Sequence, residues 1–153
     1  VCKREWRKRN LRDEPKRDTV KSKTRLLLMR IFILLGSIHA LLAVSLGAFG
    51  AHGLKTLLTV NQLATYQTGV HYHLIHALAL VCVGLLAYPL QSKKIITVAG
   101  WCFFWGILLF SGSLYLLSLT SLPPLVGLIT PIGGCLFLLG WLSISIAAYK
   151  QPE

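Results

Sequence analysis

The sequence predicts an all-α fold, a four-span transmembrane helical bundle. Three observations carry that prediction. There are four long apolar runs, no Asp or Glu occurs from Ile31 to Pro152, and two of the three connections are only a few residues long. Hydrophobic residues make up 54% of the chain and charged ones 14%, below the share of about 25% usual in a soluble domain. At 153 residues there is room for one domain and a tail.

The tail comes first. Residues 1–28 are polar and charged all round, with Pro15 in the middle. Such a segment buries too little apolar surface to offset its ordering entropy, so it is expected to be disordered. The single methionine, Met29, stands at the onset of the first apolar run. A true start at Met29, with residues 1–28 as upstream sequence, is therefore expected, and residues 29–150 form the transmembrane domain. Were the tail real, it would be a polybasic arm attracted to anionic lipid, at about 1 kcal/mol per basic residue near the surface.

The spans are expected at about 31–51, 70–90, 95–119 and 123–149. Each reaches the ~20 residues that cross a ~30 Å hydrocarbon core. Lipid offers no partner to an unpaired backbone group, so each should be a helix. Gly53–Gly69, Gln91–Lys94 and a Pro-Pro corner at Thr120–Pro124 connect them. The first run resembles a signal peptide, with Ala48-Phe49-Gly50 as a cleavage site. Its length exceeds the 7–15 residues of a signal core, and retention is the expectation.

Charge sets the orientation. With the N-terminus inside, Arg30, Lys93, Lys94 and Lys150 are cytoplasmic and only Lys55 is outside. Both termini are thus expected in the cytoplasm, and the chain in the plasma (inner) membrane. The formal charge of +11 does not imply nucleic acid, because residues 1–30 hold twelve Lys/Arg against four acids with Trp6 as their one aromatic.

Small residues mark the seams. Gly36, Ala40, Ala43 and Gly47 share a face of the first span, and Tyr66, Gly69, His73, His76, Ala77, Leu80, Gly84 and Ala87 share a face of the second. Small residues let membrane helices approach closely. In the third run Ser111, Tyr115 and Ser118 share a face. In the fourth, Gly127, Thr130, Gly134 and Ser145 lie near one face, and Pro131 predicts a kink in the outer half. Helix packing is thus assigned to Gly36, Ala40, Gly47, Gly84 and Gly134.

The histidines are the most tempting chemistry. His71 and His73 diverge by about 160° on a regular helix, so one metal cannot take both. A three-histidine zinc or copper site from His52, His73 and His76 is the lesser reading, because it lacks carboxylate or thiolate support. Bis-histidine haem would pair His39 with His76, whose depths differ by about 8 Å at 1.5 Å per residue. Cys2, Cys82, Cys102 and Cys135 form no CxxC pair. No cofactor or metal is expected. Without a carboxylate to orient an imidazole, nucleophilic catalysis is demoted as well. His76 is expected to point inward and bond the hydroxyls of Tyr115 and Thr130, clamping the second, third and fourth helices.

Four motifs in order resemble a known family. They are Gly47-Ala48-Phe49-Gly50-Ala51-His52-Gly53-Leu54, Tyr66-Gln67-Thr68-Gly69 with Tyr72 and His76-Ala77-Leu78-Ala79, Phe110-Ser111-Gly112-Ser113-Leu114-Tyr115, and Thr130-Pro131-Ile132-Gly133-Gly134 with Gly140-Trp141. In this they are similar to the YgdD/YwdK-type small inner-membrane proteins, a domain of unknown function, from about Met29 to Tyr149. The resemblance implies a four-helix integral membrane protein with no assigned activity. His52 and His76 match its motifs, His71 and His73 do not, and the tail falls outside it. The motifs' polar residues shape a candidate pocket or polar clamp from His52, Tyr66, Gln67, His76, Tyr115 and Thr130.

The expected function is therefore non-enzymatic, a packing or scaffold role in contact with membrane lipid, with self-association through the Gly/Ala seams. The alternative is a carrier or binding protein for a small neutral or apolar solute, through a pocket in the outer leaflet.

Overall fold

The computed structural model describes residues 2–90, 92–120 and 127–150, with side chains described at Thr19 and from Ser22 onward. Four long helices form among the described residues: α1 Cys2–His52, α2 Val60–Leu86, α3 Lys93–Leu119 and α4 Ile129–Tyr149. All four are long and apolar enough to cross a membrane, α1 through its part Ser22–His52. The predicted all-α, four-span architecture is what the chain adopts.

Several boundaries differ from expectation. The backbone of the basic segment, expected to be disordered, is helical from Cys2 and runs unbroken into the first span. Lys, Arg, Leu and Glu are good helix formers, and an adjoining span removes the nucleation step that defeats an isolated segment. The second helix begins ten residues before the expected position 70. Thr59 and Gln62 form a capping box there: Gln62 N–H donates to Thr59 Oγ1 at 3.3 Å and Thr59 N–H to Gln62 Oε1 at 3.0 Å. The expected loop from Gly53 to Gly69 thus shrinks to residues 53–59. α2 also ends at Leu86 rather than near 90. The fourth span starts at Ile129, which puts Pro131 in its first turn. No intrahelical partner exists for a backbone N–H there, so Pro131 removes no bond and the expected kink loses its cause. Gln91 and most of the Pro-Pro corner lie outside the described residues.

α3 is not regular. Ile107–Ser111 forms one π turn inside it, a wider coil that re-aims the side chains beyond. Helices pack mainly on their sequence neighbours, α1 on α2, α2 on α3 and α3 on α4. The two ends of the bundle differ. Toward the termini the core is dry, built from Phe32, Leu80, Val83, Ile96, Ala99 and Phe103. Toward the α1–α2 loop the interior carries His39, His73, Ser113 and Ser118, all buried.

Candidate functional site

Rings seated on glycines hold the helices in place. A Cβ on Gly36 would stand 2.8 Å from the Ala77 carbonyl of α2, and one on Gly84 would stand 2.9 Å from the Ile33 nitrogen of α1. Gly50 receives the Tyr66 ring at 2.6 Å from such a Cβ, and Gly106 receives Phe137 at the same distance. Phe32 fills the seat at Gly100 and Phe103 the seat at Gly140. The expected seams at Gly36 and Gly84 are therefore real contacts between α1 and α2. Gly47 is looser, with Val70 at 3.2 Å, and Ala40 is only half-buried.

Gly134 is a correction. Its nearest neighbour is the Phe110 ring at 3.7 Å, which is ordinary contact. Gly133 is the close one, pressed against the backbone of Phe110. The π turn ends at Ser111, so the widened coil of α3 is what meets α4 here.

Two polar constellations cross the helix boundaries. In the first, His39 Nδ1 lies 3.0 Å from His73 Nε2, and His73 Nδ1 lies 3.2 Å from the Tyr115 hydroxyl. The three residues come from α1, α2 and α3. A neutral imidazole has one N–H, so the two bonds are coupled. If His73 donates to His39, Tyr115 must donate to His73; if His73 donates to Tyr115, His39 must donate to His73. Tyr66 leans on the same cluster, its ring centroid 5.1 Å from that of Tyr115, and its hydroxyl donates to the Leu46 carbonyl at 2.9 Å.

The second constellation centres on His76, which is 4% exposed and points inward as expected. Its partners are not the expected ones. His76 Nδ1–H donates to the Tyr72 carbonyl at 2.8 Å, and Trp141 Nε1–H donates to His76 Nε2 at 3.2 Å. Its ring lies flat on Phe137, centroids 3.4 Å apart. Tyr115 is taken by His73, and Thr130 Oγ1 pairs with Ser113 Oγ at 2.7 Å. The clamp from His76 to α4 exists, but Trp141 makes it.

The six residues proposed for one pocket are thus divided. Tyr66 and Tyr115 stand together, His76 and Thr130 belong to separate contacts, and Gln67 and His52 are exposed. Gln67 borders a shallow recess beside Gly47 and Gly50. No group of three metal-ligating side chains forms among the described residues, and the His52–His73–His76 set is not assembled. His39 and His73 bond each other directly, which the sequence did not reveal. The usable signal was the shared face of His73 with Gly69 and His76, set against His39 on the small-residue stripe of α1.

The family described as "Protein of unknown function (DUF423)" matches residues 46–134. The chain is 52% identical over 122 residues to the UPF0382 membrane protein YwdK of Bacillus subtilis, covering 80% of this chain and 98% of that one. It is 42% identical over 122 residues to a UPF0382 membrane protein of Staphylococcus saprophyticus, at 80% and 99% coverage. A Staphylococcus aureus relative, also called a UPF0382 membrane protein, is 43% identical over the same length, at 80% and 98% coverage. No solved structure matches. With four helices of spanning length and relatives covered almost from end to end, the chain belongs to the DUF423 family and is a multi-pass membrane protein of a family without known activity.

Proposed function

We propose that the protein acts through its packed shape in the bilayer and not through bond chemistry, as a non-enzymatic packing or scaffold component. The observation that carries this is the set of ring-on-glycine seats joining sequential helices, Tyr66 on Gly50, Tyr115 against Gly69 at 3.0 Å, and Phe137 on Gly106. Support also comes from composition, since Ile31 to Pro152 offers no carboxylate as base, metal ligand or proton acceptor. Any self-association would have to use other faces, because Gly36 and Gly84 are already filled within the chain.

The test is accumulation and unfolding of Gly36→Leu and Gly84→Leu, beside Leu138→Ala on the exposed face of α4. The first two should fail to accumulate and the third should behave as the parent. Normal accumulation and melting of both glycine variants would overturn the proposal.

Orientation belongs to the same proposal: plasma membrane, both termini in the cytoplasm. Arg30, Lys93, Lys94 and Lys150 at the termini end against Lys55 at the other support it. Terminal tags should be reachable only from the cytoplasmic side. A C-terminal tag labelled from outside intact cells would reverse the assignment.

A further inference from the structure

A groove of about 450 Å³ opens between α2 and α4, and the His76–Trp141 clamp and the seated Phe137 ring form part of its wall. Its volume lies within the ~300–1,000 Å³ typical of small-molecule sites. Tyr72 and His76 of α2, Phe110 of α3, and Phe137 and Trp141 of α4 line it. His71 completes the rings, and Ile75, Gly134 and Leu138 make up the rest of the wall. Tyr72 packs on Phe110 with centroids 4.6 Å apart and lies nearly parallel to Phe137, at 16° and 6.3 Å.

Three features define what such a groove can hold. First, its lining includes no Lys or Arg and no acid, and its polar side chains are His71, Tyr72, His76 and Trp141. Second, both nitrogens of His76 are taken and its buried ring lies flat on Phe137, so it closes the wall and offers no hydrogen bond. Third, Tyr72 is 40% exposed and its hydroxyl has no hydrogen-bond partner among the described residues. Tyr72 stands about 18 Å from the Val60 end of α2 and about 21 Å from the Leu86 end, at 1.5 Å per residue. With α2 centred on the bilayer, that is its middle, where a hydroxyl finds no water to replace the missing acceptor.

The occupant must therefore bring a flat uncharged ring and an acceptor oxygen to mid-membrane depth. Phospholipids do not, because their oxygens sit near the interface, about 15 Å from the midplane. We propose that the groove binds a planar, carbonyl-bearing ring compound of the quinone class. The ring lies against Phe110 and Trp141, and one carbonyl oxygen accepts a hydrogen bond from the Tyr72 hydroxyl. No electron transfer is involved.

Trp141 is the reporter. A protein carrying Trp6→Phe, Trp101→Phe and Trp105→Phe keeps it as the one tryptophan and is placed in phosphatidylcholine vesicles. A decyl-substituted benzoquinone should quench its fluorescence saturably, and decylbenzene should not compete. Tyr72→Phe should weaken binding about 2- to 12-fold, the equivalent of one hydrogen bond. Gly134→Leu should abolish it by filling the groove, and a Cβ there meets nothing nearer than the Phe110 ring at 3.7 Å. Should that variant misfold, Ile75→Phe fills the groove from the α2 side. Quenching that rises without saturation and is equal in all variants would overturn the proposal. So would equal competition by decylbenzene, or quenching by brominated-chain phosphatidylcholine that the quinone does not relieve, since either marks an acyl chain as the occupant.

Discussion

His73 uses both ring nitrogens across helix boundaries, so its loss reaches two neighbours at once. His73→Leu should destabilise the bundle about twice as much as Tyr115→Phe, which removes one bond of about 0.6 kcal/mol in a membrane. Unfolding in mixed micelles measures both, and a double-mutant cycle between His39 and Tyr115 should give a non-zero coupling although His73 stands between them in the hydrogen-bond chain. His76 separates its contributions in the same way. Trp141→Phe removes a donor and should cost about 0.6 kcal/mol. His76→Ala also removes the ring on Phe137, which should add about 0.5–1.5 kcal/mol. That His76 turns inward was legible from its face on the helix. Its partner was not, because helical spacing gives a direction and a depth but not the rotation of the next helix. The expected depth also rested on a span starting at residue 70 when it starts at Val60.

At the scale of the element, adjacent glycines are not equivalent. Gly133→Ala should cost about 1–3 kcal/mol, because the methyl would meet the Phe110 backbone, which cannot swing away as a side chain can. Gly134→Ala and Gly112→Ala should be close to neutral, since the first meets only a ring at 3.7 Å and the second meets nothing within 4 Å. Melting of the three variants side by side is the check. The four spans were legible because length and hydropathy suffice to find them. The choice of Gly133 over Gly134 was hidden, since it depends on the π turn Ile107–Ser111, which no repeat in the sequence announces. The start of α2, by contrast, was written in the chain. Thr59-Val60-Asn61-Gln62 is a capping box, and its hydroxyl and amide do satisfy each other's backbone groups. Thr59→Ala should fray the first turn at about 0.5–2 kcal/mol, seen as faster amide exchange from Val60 to Leu63.

Across the whole molecule the dry core and the polar layer occupy opposite halves. Amides from Ile96 to Phe103, packed with Phe32, Leu80 and Val83, should exchange last, while those of Gly112–Leu119, beyond the π turn and beside the Ser113–Thr130 pair, should exchange earlier. Uniform exchange along α3 would contradict that division. The seats also fix how the bundle meets its solvent. Gly100 and Gly106 of α3 and Gly140 of α4 are recesses filled by Phe32, Phe137 and Phe103, rings from three helices. A slide of one helical turn, about 5.4 Å, would unseat them together. The helices therefore cannot shear past one another to match a thicker or thinner bilayer. Mismatch has to be taken up by tilting the bundle as one body or by deforming the surrounding lipid. A protein of this build feels membrane thickness as a rigid wedge does, and passes the strain outward to its neighbours.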